Sequence, residues 1–98
     1  MDIEAYRSSL RQAAVLSRVP EHDIDGLVEW IVEARPTGDF LRAVLENDLK
    51  EAFGRADLEN TEAMAEIMRF LYNHAPANCW GSVENVKNWR GVFPRAEP

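Results

Sequence analysis

Residues 20–34 read PEHDIDGLVEWIVEA, and their spacing decides the fold. Ile24, Leu27, Val28, Ile31 and Val32 fall at i, i+3, i+4, i+7 and i+8, which places them on one face of a helix. Pro20 suits the first turn, where its missing N–H has no partner to lose. Glu21 and Asp23 complement the positive end of the helix dipole.

The same periodicity extends in both directions. Upstream, Asp2 is a good N-cap for a helix running to about Arg18, with Ile3, Tyr6, Leu10, Ala13 and Ala14 at helical spacing. Val19-Pro20 interrupts it, because proline disfavours helix in the residue before it. Downstream, Arg35-Pro36-Thr37-Gly38 separates the second helix from a third over about 38–55. Its stripe is Leu41, Val44, Leu45, Leu49 and Ala52, with Phe40 and Phe53 beside it. Asp57 or Asn60 can cap a fourth helix carrying Met64, Ile67, Met68, Leu71 and Tyr72. Ala75-Pro76-Ala77-Asn78 is a turn. Ser82 caps a short last helix with Val83, Val86 and Trp89, and Gly91 stands where a left-handed glycine ends a helix.

The expected fold is therefore all-α: a compact antiparallel bundle of about five helices in a single domain over residues 1–92. Residues 93–98 read as a flexible tail onto the domain, unless Phe93 docks back. The expected core is Leu10, Leu27, Ile31, Leu41, Leu45, Leu49, Ile67, Met68 and Leu71.

A chain of 98 residues makes one core without much surplus, so self-association into a homo-oligomer would supplement its stability. Hydrophobic residues are 46% and charged residues 29%, which excludes a disordered chain. The formal net charge of −6 argues against a direct nucleic-acid ligand and for partners with a basic surface. The one cysteine, Cys79, rules out an internal disulfide. No apolar run approaches the ~18 residues of a membrane span, and the N-terminus lacks the marks of a signal peptide. No membrane partner is expected, and the expected address is cytoplasmic.

Machinery for catalysis is missing. His22, His74 and Cys79 form no pair at metal-ligand spacing, and there is no phosphate-cradling glycine loop or nucleophile elbow. His74 and Cys79 could approach across a turn as a thiolate–imidazole dyad. The plainer expectation is a helix-end histidine and a small buried thiol. The chain is expected not to be an enzyme and to need no cofactor or metal.

Four features stand out as binding surfaces. Glu21, Asp25, Glu29 and Glu33 recur every four residues with no Lys or Arg between residues 20 and 34. Four residues of helix rise about 6 Å, the order of the gap between neighbouring phosphates, so the row could imitate a nucleic-acid backbone. Alternatively it is the solvated flank of the Ile24–Val32 stripe. Trp30 lies off that stripe, beside the acids, where an exposed ring would anchor an interface unless another helix covers it. Asp48, preceded by Asn47, falls inside the third helix's stripe, where it is expected to be buried and hydrogen-bonded or to floor a polar pocket with Tyr72 and Trp80. Asn78-Cys79-Trp80-Gly81-Ser82 is either a hydrophobic plug closing the bundle or, at a helix N-terminus, an anion site.

The stretches Arg35-Pro36-Thr37-Gly38-Asp39-Phe40-Leu41-Arg42-Ala43-Val44-Leu45-Glu46-Asn47-Asp48-Leu49, Arg55-Ala56-Asp57 with Asn60, Phe70-Leu71-Tyr72-Asn73 and Ala75-Pro76-Ala77-Asn78-Cys79-Trp80-Gly81-Ser82 carry a resemblance. Over these residues the chain resembles a small group of helical proteins from phages and prophages; residues 1–34 do not share in it. The resemblance implies phage accessory biology, and small acidic phage accessory proteins are often inhibitors of bacterial defence. The leading expectation is a non-enzymatic counter-defence inhibitor of the anti-CRISPR kind. It would block a basic surface of a host protein or ribonucleoprotein complex with Glu21, Asp25, Glu29, Trp30 and Glu33. The alternatives are a homo-oligomeric sponge for a nucleotide signal, using Asn47, Asp48, Tyr72, Trp80 and Ser82, and a structural or assembly protein of a phage particle.

Overall fold

The computed structural model describes residues 2–95. They form seven α-helices: α1 (Ile3–Leu16), α2 (Glu21–Glu33), α3 (Asp39–Leu45), α4 (Leu49–Arg55), α5 (Leu58–Glu62), α6 (Met64–His74) and α7 (Val83–Asn88). A single 3-10 turn, Ala77–Cys79, stands between α6 and α7, and no strand occurs among the described residues. The radius of gyration of 12.7 Å is that of one packed domain of this length.

Helix count is the main departure from the sequence reading, and both extra breaks have a local cause. The expected third helix divides because Asn47 adopts φ +62°, a left-handed conformation that asparagine tolerates better than most residues. Asp48 then opens a new helix, its Oδ1 accepting the Glu51 amide at 3.2 Å. The expected fourth helix divides at Ala63, whose φ of −101° and ψ of 12° bend the chain between α5 and α6. Asp57 is the cap of α5, accepting the Asn60 amide at 2.8 Å.

Helices α1 and α2 pack on each other, α3 packs on α4, and α6 closes against α1. Leu27, Val28, Ile31 and Val32 of α2 are fully buried with Leu45, Ile67, Phe70, Leu71 and Ala14. Leu49 does not join them: the turn at Asn47 rotates α4 and leaves it 67% exposed. Met68 is only partly buried at the edge of the core.

The last described residues fold back over the end of α2. A helix leaves its final carbonyls without internal partners. Here Trp89 Nε1 donates to Trp30 O at 2.9 Å, the Val92 amide to Ile31 O at 3.0 Å, the Phe93 amide to Val32 O at 2.8 Å and Arg95 Nε to Glu33 O at 3.2 Å. Phe93, expected in a loose tail, packs on the core with its ring 5.7 Å from that of Tyr6. Residues 96–98 of that expected tail lie outside the described residues.

Candidate functional site

The acidic row of α2 is divided by its environment. Arg7 of α1 reaches across to Glu29 at 2.9 Å and also pairs with Glu33 and with Glu4. The hydrogen bond that Arg7 donates to Glu29, the largest influence, raises the guanidinium further above its already high ordinary pKa. Arg35 adds a contact to Glu33 at 3.4 Å and to Glu29 at 3.7 Å. The cations missing from α2 itself are therefore supplied by its neighbours, and the inner half of the row is an internal ion-pair network. Asp25 and Glu21 at the outer half remain exposed, with Arg11 touching Asp25 at 2.9 Å.

Trp30 is not an exposed anchor. It is 6% accessible, because the 3-10 turn and the returning C-terminal segment cover it. Its Nε1 donates to Cys79 O at 2.9 Å while its own carbonyl accepts Trp89 Nε1.

The five residues expected to line a ligand pocket are not brought together. Asp48 is exposed and spent on its cap rather than buried as a lock, and Tyr72 is 81% exposed on α6. Asn47 and Asp48 line a cleft of about 50 Å³ with Val44, Ala52, Met64 and Met68. Ligand sites of drug size are about 300 to 1,000 Å³, so this one is too small for a nucleotide. Trp80 and Ser82 lie elsewhere. Ser82 Oγ caps α7 by accepting the Asn85 amide at 3.0 Å, as its position before a helical stripe implies. The Gly81 amide donates to Leu45 O at 2.7 Å and Trp80 packs on the core, so residues 78–82 plug the end of α3. Cys79 is fully buried within that plug, and burial pushes its thiol up to about 12. A thiol in that state is no nucleophile, and His74 instead stacks on Phe70 at 5.7 Å.

What the structure does gather is a second acidic group that sequence spacing does not reveal. His22, at the start of α2, has its Nε2 3.7 Å from Asp23 Oδ1 and 3.4 Å from Asp57 Oδ2, and its Nδ1 3.3 Å from Glu59 Oε1. These contacts set the start of α5 against the start of α2. Glu21, Asp25, Asp57, Glu59 and Glu62 are all exposed on the two helices so joined or at their starts, an acidic pole in which Arg11 contacts Asp25 and His22 contacts Asp57 and Glu59. Glu21 and Asp25 also line a cleft of about 530 Å³ together with Arg11 and the apolar side chains Val15, Val19 and Ile24. The capping tendency of Asp57 is visible in the sequence. Its meeting with His22, 35 residues earlier, depends on tertiary packing alone. Among the described residues, no group of three or more His, Cys, Asp or Glu is placed to hold a metal ion.

The described residues thus form an all-helical domain with exposed acids beside a cleft of mixed apolar and charged lining. No protein-family model, curated protein or solved structure matches this chain.

Proposed function

We propose that this chain is a non-enzymatic binding protein of the counter-defence type, which docks its acidic pole on a basic surface of a host protein or ribonucleoprotein complex in the bacterial cytosol. The observation that carries the docking is the pairing of exposed acids with apolar lining in one cleft: Glu21 and Asp25 line it together with Val15, Val19 and Ile24. Charges steer and orient a partner, while apolar lining supplies an anchor point that water cannot compete for. The net charge of −6 favours the same kind of partner and disfavours bare nucleic acid. The assignment to counter-defence leans on the resemblance of residues 35–82 to phage accessory proteins.

This reading moves the docking surface away from the middle of α2. Glu29 and Glu33 are engaged by Arg7, so imitation of a phosphate row by all four acids would require breaking those pairs. The test is to express the chain in bacterial strains, each protected by one RNA-guided or other nuclease-based defence, and to measure phage plating. Inhibition predicts restored plating in at least one strain, lost on the double reversal Glu21→Lys and Glu62→Lys. Plating unchanged in every strain would remove the counter-defence assignment, and inhibition that survives the reversal would remove the acidic pole from it.

A further inference from the structure

The far end of α2 borders a second cleft, which shares no lining residue with the one beside Glu21 and Asp25. Its volume is about 330 Å³, and it lies where the α2–α3 connection, α3 and α7 meet. Trp30 and Leu45, both buried in the core, line it from below, and α7 contributes Val83 and Val86. Val83 is 60% exposed, so the α7 wall carries apolar surface that the fold leaves open. Although α7 is short, it is fixed at both ends. Ser82 Oγ caps its start, Asn85 Nδ2 donates to Trp80 O at 2.9 Å, and just past its end Trp89 Nε1 donates to Trp30 O. The walls are therefore set before any ligand arrives, and little ordering is needed on binding.

The charges of this cleft run against those of the chain. Arg42 and Lys87 supply two positive charges and Glu46 one negative, so the lining is net positive by one in a chain of net charge −6. Arg42 Nε donates to Glu46 Oε2 at 2.9 Å, which holds the guanidinium at the cleft and leaves its two terminal amino groups for another acceptor. Lys87 is exposed and forms no ion pair among the described residues. We propose that the cleft binds a small organic acid, an apolar or aromatic body carrying one carboxylate. The body lies against Trp30, Leu45, Val83 and Val86, and the carboxylate accepts hydrogen bonds from Arg42 and Lys87. Small-molecule sites are mostly apolar with a few placed polar groups and span about 300 to 1,000 Å³, and this cleft falls at the small end of that range. A single surplus positive charge suits a monoanion, whereas Glu46 repels the second charge of a phosphate monoester. The planar fork of an arginine also matches the geometry of a carboxylate.

This inference does not rest on the docking reading and is tested without any protein partner. Naphthalene-2-carboxylate and decanoate are titrated into the isotope-labelled chain and followed by NMR, with naphthalene-2-carboxamide as the uncharged control. The site predicts saturable shifts at Thr37, Leu45, Val83 and Val86, all of which line the cleft, for at least one acid. Which acid binds more tightly distinguishes an aromatic from an aliphatic body. The carboxamide should bind about tenfold more weakly than the naphthoate or worse, because it lacks the charge-assisted hydrogen bonds. Arg42→Gln and Lys87→Gln, both at exposed positions, should each weaken the acid several-fold while the rest of the spectrum stays that of the folded wild type. No saturation by either acid at millimolar concentration would overturn the proposal. So would equal affinity for naphthoate and its amide, shifts confined to the cleft at Val15 and Val19, or unchanged affinity in both variants.

Discussion

Trp30 Nε1 donates to the Cys79 carbonyl at 2.9 Å, joining the last turn of the second helix to the 3-10 turn 49 residues further along the chain. The bond makes Trp30 an internal tie. Replacing it with Phe keeps most of the ring but leaves the Cys79 carbonyl without its donor, at a cost of about 1 to 3 kcal/mol. Truncation to Ala should cost about 3 to 5 kcal/mol, as buried aromatics do. Urea unfolding measures both, and an unchanged midpoint for Trp30→Ala would mean that the ring is not held in the core.

Cys79 should be inert to thiol reagents in the folded protein. Its side chain is fully buried and its thiol is pushed up to about 12 by that burial, so almost no thiolate is present at pH 8. Labelling with an aromatic disulfide should wait for denaturant. Fast labelling of the native protein would show that the plug at residues 78–82 opens.

Gly91 is the hinge on which the C-terminal segment turns back. Its φ is +98°, and a Cβ there would meet Val32 O at 2.6 Å and Glu33 Cα at 2.8 Å. Gly91→Ala should destabilise by about 1 to 3 kcal/mol through backbone strain alone, with the close contact adding to it. The loss should be accompanied by faster exchange of the Val92 and Phe93 amides, which donate to Ile31 O and Val32 O.

Arg7→Gln should lower the melting temperature, and by less in high salt, because Glu29 and Glu33 lose their shared cation. Combining it with Glu29→Gln and Glu33→Gln should recover part of the loss, since the repulsion goes with the charges. Strictly additive losses would show that the three residues do not act as a network.

The all-helical character of the chain is legible because stripes such as Ile24–Val32 and Leu41–Leu45 require no knowledge of neighbours. Ser82, and Asp57 as one of two candidates with Asn60, are readable as caps for the same reason: a short polar side chain serves an amide three residues ahead. The break at Asn47-Asp48 uses that chemistry too, a left-handed asparagine followed by a capping aspartate. The apolar residues on either side kept a single helical period and concealed it, which placed Leu49 in the core and Asp48 beneath it. Trp30 and the acidic row could not be placed from α2 alone. Whether an off-stripe ring or a glutamate faces water depends on what packs there, and here Trp89, the 3-10 turn and Arg7 arrive from elsewhere in the chain. The His22–Asp57–Glu59 group is hidden for the same reason.

The central claim is that the acidic pole docks on a basic partner, and it is tested most directly by affinity for a partner whose activity the chain inhibits. Binding should be measured for the wild type, for Glu21→Lys with Glu62→Lys, and for Glu84→Lys, an exposed acid on α7 away from the pole. The account predicts a loss of roughly tenfold or more for the double reversal, shrinking as salt screens the charges, and no loss for Glu84→Lys. Equal affinity for the double reversal and the wild type at low salt would contradict it.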